Sequence, residues 1–234
     1  MLVRFVLGIW KNPPPQQTDN EKSSVKFRTD GRPLETTFEV WEGPGNTPQS
    51  VRMYSQDGSA YGVRLLAGKR QPQQQSQRDS GSYYGSNTAS TLSIRNTGPM
   101  EFPITAAVGR TNYEYKSYDY GSGSRMDGPS SIMSGPSVKI IQGGSEKHWP
   151  VMYNVRSVKV ELHSQGMPIM ARVELLQGPN CVKACTQVYQ QDGYVRPFCA
   201  VIDTPGDRGG MIQIVNEGPM EFPITASVEP YEMG

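Results

Sequence analysis

The block Gly98-Pro99-Met100-Glu101-Phe102-Pro103-Ile104-Thr105-Ala106 occurs twice in this chain. It returns, residue for residue, as Gly218-Pro219-Met220-Glu221-Phe222-Pro223-Ile224-Thr225-Ala226, 120 positions later. Nine identical residues in a row do not arise by chance, and repetition on this scale fixes the architecture before any other feature is weighed. Just upstream, Ile94/Ile214 and Asn96/Asn216 agree as well, while Arg95/Val215 and Thr97/Glu217 differ. A second, more diverged match lies upstream. Gly31 to Gly58 aligns without gaps to Gly166 to Gly193 at an offset of 135, through Pro33/Pro168, Glu39/Glu174, Gly43/Gly178, Pro44/Pro179, Tyr54/Tyr189, Gln56/Gln191 and Asp57/Asp192. The two offsets differ by 15, so the first copy carries about 15 extra residues between its conserved blocks. They fall in Lys69 to Thr88, a Gln-, Ser- and Gly-rich stretch too poor in aliphatics to offset its ordering entropy, and read as a loop. Tyr83 and Tyr84 in it are the residues a contact loop would use.

The copies read as β. Val158, Val160 and Leu162 alternate with Lys159, Glu161 and His163; Phe38 and Val40 alternate with Thr37 and Glu39; Val173 and Leu175 alternate with Arg172 and Glu174. Period two places one set on a buried face and the other toward solvent. The runs are short and end at Gly-Pro or Asp-Gly turn signals, and no segment shows a capped helical period. The expected fold is all-β, with two pseudo-repeated β-sandwich or open-barrel-like units in one chain. The expected organisation is an N-terminal arm over 1–24, a first β repeat over 25–108, a Gly/Ser/Tyr-rich linker with a candidate strand at Val138–Ile141 over 109–157, and a second β repeat with a C-terminal tail over 158–234. The shared block should be a turn running into a strand, with Pro103 at an edge or bulge because it has no N–H to give a ladder.

Composition narrows the function. Twenty-three basic residues against 22 acidic ones leave no cationic excess for nucleic acid or an anionic membrane. No apolar run approaches the ~18 residues needed to span a bilayer, and Leu2 to Trp10 lacks a signal-peptide cleavage site, so the chain reads as a mature form. The three cysteines, Cys181, Cys185 and Cys199, are too few for a disulfide framework. A zinc site on Cys181/Cys185 would have only His148 and His163 to complete it, both distant in sequence, so no metal and no cofactor are expected. No Ser/His/Asp order, phosphate loop or dinucleotide fingerprint is present. Glu39/Glu174 and Glu101/Glu221 recur in register, but at the polar phase of strands, where solvated charges need no further role. Asp57-Gly58 and Asp192-Gly193 read as hairpin turns. An enzyme is not expected.

These paired blocks, with Arg196-Pro197-Phe198 in the second copy, resemble the pyrenoid shell proteins of diatoms and related algae. The first copy has no evident match for the Arg196-Pro197-Phe198 step. The resemblance implies a structural protein that self-assembles into a sheath around the Rubisco matrix of the pyrenoid, supporting CO₂ concentration and fixation. It also implies a place at the pyrenoid periphery in the chloroplast, with the targeting peptide absent from this chain. The implied partner is the protein itself in a sheet or tube, with Rubisco or other pyrenoid proteins as further candidates, and neither nucleic acid nor membrane insertion. The candidate assembly motif is Gly98, Pro99, Met100, Glu101, Phe102 and Pro103 with Gly218, Pro219, Met220, Glu221, Phe222 and Pro223. The candidate assembly arm is Phe5, Leu7 and Trp10, which either adds a strand to a neighbour or packs on its own sheet. Two other readings compete. A non-assembling β-sandwich module for carbohydrate or another ligand would use Trp41 and the Tyr-rich loops. A hydrolase would require clustered carboxylates or histidines.

Overall fold

A computed structural model describes residues 2–7, 22–42, 45–67, 90–111, 137–178, 181–207 and 209–234. Fifteen strands and no helix form among them. In chain order these are β1 (Leu2–Leu7), β2 (Lys22–Arg28), β3 (Leu34–Trp41), β4 (Gln49–Ser55), β5 (Val63–Ala67), β6 (Ser90–Asn96) and β7 (Thr105–Thr111). They continue as β8 (Val138–Ile141), β9 (Glu146–Val151), β10 (Val155–His163), β11 (Ile169–Leu176), β12 (Val182–Gln190), β13 (Phe198–Asp203), β14 (Gly210–Asn216) and β15 (Ile224–Met233). The Lys69–Thr88 loop, with Tyr83 and Tyr84, lies outside the described residues, as does Trp10.

The strands form two antiparallel sheets. The first runs β1-β6-β3-β4-β12-β11-β14-β9 and the second β7-β2-β5-β13-β10-β15-β8. Both orders run from one edge to another, so neither sheet closes into a barrel, and the sandwich is the form the all-β units take. The alternation seen in the sequence explains the layers. Leu34, Thr36, Phe38 and Val40 of β3 are buried and point across to Val25 and Phe27 of β2 in one continuous core. Leu162, Ile169, Leu175 and Ile202 extend the same core through the second half. Phe27 and Phe38 meet edge to face with centroids 6.4 Å apart, tying one sheet to the other.

The repeat is reproduced strand by strand: β2–β7 correspond to β10–β15. Ladder registers repeat as well. Leu34 faces Ser55 as Ile169 faces Gln190, Thr36 faces Asn96 as Ala171 faces Asn216, and Val25 faces Val108 as Val160 faces Val228. The halves join edge to edge, β4 on β12 and β5 on β13. At the offset of 135, Arg52 is the equivalent of Gln187 and Leu65 of Ala200. Each of these pairs sits directly opposite itself in the joining ladders. A pseudo-twofold axis therefore passes through both sheets at those two pairs. Its symmetry extends to the flanking bonds, Gln56 N to Lys183 O at 2.8 Å and Gln191 N to Pro48 O at 2.9 Å.

Two strands lie outside the alignable repeat yet fill equivalent places. Phe5 of β1 stands opposite Leu92 as Trp149 of β9 stands opposite Ile212. The N-terminal segment thus pairs with β6 of its own sheet. Strand β8 lies beside β15, and no strand among the described residues takes the corresponding place beside β7.

The turns repeat too. Gly31 and Gly166 both adopt positive φ, 69° and 80°, which a side chain would resist. Asp57 Oδ1 accepts from Ser59 N at 2.8 Å, and Asp192 Oδ1 accepts from Tyr194 N at 2.8 Å. The Ser59 hydroxyl, with the amides of Ser59 and Ala60, holds the Asp57 carboxyl below its usual range. That preference favours the folded state above about pH 4 and is lost as the pH falls through the lowered value. Gly58 and Gly193 follow because the turn is pressed against its own unit. A Cβ on Gly58 would lie 2.5 Å from Thr29 Oγ1, and one on Gly193 2.5 Å from Ser164 Oγ.

Candidate functional site

The duplicated block forms the crossing from β6 to β7 in one half and from β14 to β15 in the other, so it links the two sheets toward each end of the strand order. The asparagine that precedes it organises the turn. Asn96 Oδ1 accepts from Gly98 N at 3.1 Å while its Nδ2 donates to Phe102 O at 2.9 Å. Asn216 does the same with Gly218 N at 3.0 Å and Phe222 O at 2.8 Å. Phe102 N and Phe222 N close the turn onto Pro99 O and Pro219 O at 3.0 and 2.9 Å. The glycine and prolines are thus accounted for as turn residues. Met100 and Met220 at the tip are not: they are 96% and 76% exposed, large apolar side chains held out by a rigid turn. Glu101 and Glu221 are exposed beside them. Asn96 and Asn216 are visible in the sequence as part of the repeat, six residues before the phenylalanine, but the spacing gives no hint of their bonding role.

The halves differ in what covers the turn. The β8–β9 connection packs on the second copy so closely that a Cβ on Gly143 would lie 1.8 Å from Pro219 O. Asn216 is buried there and donates additionally to Ile141 O at 3.0 Å. The first turn has Arg32 instead, whose guanidinium lies 5.5 Å from the Phe102 ring centroid and donates to Glu101 O at 3.3 Å.

The residues that catalysis would need are placed otherwise. Glu174 is buried and paired with Arg172, which also reaches Glu217 at 2.9 Å, so it is not the solvated charge its strand phase suggested. Lys159, Glu161 and His163 are buried too, against the expectation that the polar phase of β10 faces water. Lys159 Nζ lies 3.4 Å from carboxylates of both Glu161 and Glu229, and His163 Nε2 lies 3.9 Å from Glu161. A cation between two carboxylates satisfies charge internally; it does not expose a reactive group. Glu39 accepts from Trp41 Nε1 at 3.1 Å. Among the described residues no cluster of His, Cys, Asp and Glu is arranged to hold a metal. A shallow depression of about 380 Å³ lies over the pseudo-twofold axis, bordered by Glu35, Arg52, Tyr54, Cys185 and Gln187.

All three cysteines are free thiols. Burial, reinforced by the Glu174 carboxylate, pushes the Cys185 thiol up to about 11. Such a group is almost wholly protonated at pH 8. Weighing the smaller thiolate fraction against the higher nucleophilicity of a basic thiolate, its alkylation should run about twentyfold slower than that of an ordinary thiol. Mass-resolved iodoacetamide labelling of the folded chain at pH 8 measures this directly; labelling at the rate of a free peptide thiol would contradict it.

The model of the family described as "Diatom pyrenoid shell protein" matches residues 9–230, nearly the whole chain. The chain belongs to that family. As a pyrenoid shell protein it has a structural role at the pyrenoid, inside the chloroplast. No curated protein matches it. Among solved structures it is aligned with one titled "Structure of infectious bursal disease virus Gx strain" at 10% identity and a TM-score of 0.13, over 92% of this chain and 63% of that one. A score that low carries no argument.

Proposed function

We propose that this pyrenoid shell protein self-assembles into a continuous sheath at the pyrenoid periphery, enclosing the Rubisco matrix and supporting CO₂ concentration and fixation there. The observation that carries the reading is the duplicated sandwich, whose two ends present the same rigid turn with an exposed methionine. One chain then acts as a brick with two related contact faces. Contacts that do not close into a ring propagate into sheets or tubes. Each contact can be weak, since every molecule in a lattice is held by several neighbours. A net charge of +1 leaves little repulsion to oppose packing. Membership in a shell family and the internal use of the charged side chains support a wall in preference to a catalyst.

Negative-stain microscopy of the purified full chain across a salt series tests the proposal. Extended sheets or tubes are expected. A monodisperse monomer at every salt and protein concentration would overturn it and favour a non-assembling ligand-binding sandwich.

A further inference from the structure

We propose that the edge of β7 that no described strand covers pairs antiparallel with β7 of a second copy, so that the sheet it borders continues from one molecule into the next. The inference rests on the assembly reading and names its contact.

Comparison of equivalent edges carries the argument. In the second half β8 lies against β15, pairing Ile141 with Ile224 and Val138 with Ser227. Under it Ile224 and Ala226 are fully buried and Val228 is 7% exposed. In the first half the same core-facing positions are less covered. Ile104 and Ala106 are half-buried, and Val108 is 38% exposed. Asn216 gives one amide hydrogen to its turn and the other to Ile141 O. Asn96 makes the equivalent turn bond, and among the described residues no strand carbonyl stands in the place of Ile141 O. The first half is therefore shaped for a strand beside β7.

The direction of the backbone groups agrees. Val228 N donates outward to Ser137 O at 3.3 Å. By the repeat, Val108 N–H points to the open side of β7, and so does Ala106 N–H two residues earlier. Exposed strand edges are normally blunted. Two strands toward the far end of the molecule are so blunted: β15 carries Pro230 just beyond the reach of β8, and β9 carries Pro150. Arg110 stands where Pro230 stands, and Thr105–Thr111 contains no proline.

A second copy fits because the molecule already uses this junction. Its halves meet through equivalent strands paired antiparallel about a pseudo-twofold axis, β4 with β12 and β5 with β13. A true twofold at β7 repeats that strand pairing between molecules in the sheet that β7 borders; the other sheet ends there on β1, one strand beyond β6. Centred on Ala107 or Val108, the register sets small or β-branched residues face to face and places no two like charges opposite each other. Such a contact is isologous and uses up one end of the brick, leaving the other end free to propagate.

Three variants test it. Val108→Pro deletes an outward N–H and leaves the β2 ladder intact, at a strand phase where the second half tolerates Pro230. It should keep the wild-type melting temperature within a few degrees and lose the assemblies. Ala107→Cys or Val108→Cys, according to the register, should give a disulfide-linked dimer on mild oxidation of the assembled protein, whereas Ser227→Cys on β15 should give none above the wild-type background. Wild-type assembly by Val108→Pro would overturn the edge pairing and leave self-assembly standing. So would the absence of cross-linking from both β7 cysteines in intact assemblies. A wild type that never assembles would sink the sheath proposal instead, and the β7 cysteines at high protein concentration would still decide the edge. Should Val108→Pro unfold, cross-linking of the two β7 cysteine variants decides the edge pairing by itself.

Discussion

Arg196→Ala should lower stability by about 3 kcal/mol, seen as a fall in melting temperature of roughly 6–12 °C. Arg196 is buried in the second half and pairs with Glu42 of the first, itself mostly covered. Removing the cation leaves a carboxylate in a place that water reaches poorly, and that desolvation is the main cost. The pseudo-twofold supplies an internal control. At the offset of 135, Arg196 corresponds to Tyr61 and Glu42 to Gln177. The corresponding contact is a neutral one, Tyr61 Oη donating to Gln177 Oε1 at 2.8 Å. Tyr61→Phe should cost only about 1 kcal/mol, because the glutamine left behind carries no charge. The joint replacement Arg196→Leu with Glu42→Leu should recover most of the loss, since the stranded charge disappears with its partner. Thermal melts of the four proteins give the comparison. Equal losses for Arg196→Ala and Tyr61→Phe would show that the ion pair is not held in a desolvated place.

These two contacts illustrate how far the sequence can be read. The offset is legible, and with it the equivalence of β2–β7 with β10–β15. The copies nonetheless look divergent at Arg196-Pro197-Phe198, because tyrosine and glycine of the first copy share no chemistry with the arginine and proline, and only valine and phenylalanine are alike in being buried and apolar. Only the pairing of β5 with β13 shows that the same backbone position serves both. Alternation locates β3, β10 and β11, since a half-buried strand writes its two faces into the sequence. It misjudges the outer face of β10, where it assigns Lys159, Glu161 and His163 to solvent although all three are buried. Charged residues on a strand read as exposed until the neighbouring strand is known, and Glu229, which stands opposite Lys159 on β15, is 70 positions away. Strand β9 gives almost no signal. Glu146-Lys147-His148-Trp149-Pro150-Val151 offers only Trp149 and Val151 to the core, which is enough for an edge strand. The duplicated turn stands out in the sequence at once, while the asparagine that ties it together shows its role only in the fold. No pattern of hydrophobicity names a strand's neighbour, so the joining of the halves through β4 and β12 is beyond the sequence.

Phe38→Ala should be the most damaging single substitution in the first half, at about 3–5 kcal/mol. The ring is fully buried, and its edge-to-face partner Phe27 lies on the opposite sheet. Truncation removes the transfer energy of the ring, leaves a cavity between two sheets that cannot collapse without moving many strands, and forfeits an aromatic pair worth about 1 kcal/mol. In the second half the equivalent positions hold Val173 and Leu162, so Val173→Ala should cost about half as much. The distribution of the damage tests the architecture more sharply than its size. Because β4–β12 and β5–β13 make both sheets continuous and one core spans the two halves, the loss at Phe38 should destabilise both. Hydrogen exchange resolved by peptide should show β11–β14 losing protection in step with β3–β6, within a single cooperative unfolding transition. Wild-type protection of β11–β14 alongside a melted first half would mean that the repeats fold as independent units. The pseudo-twofold junction would then be a docking contact between finished domains, and the case for repeating it between molecules at β7 would lose its physical precedent.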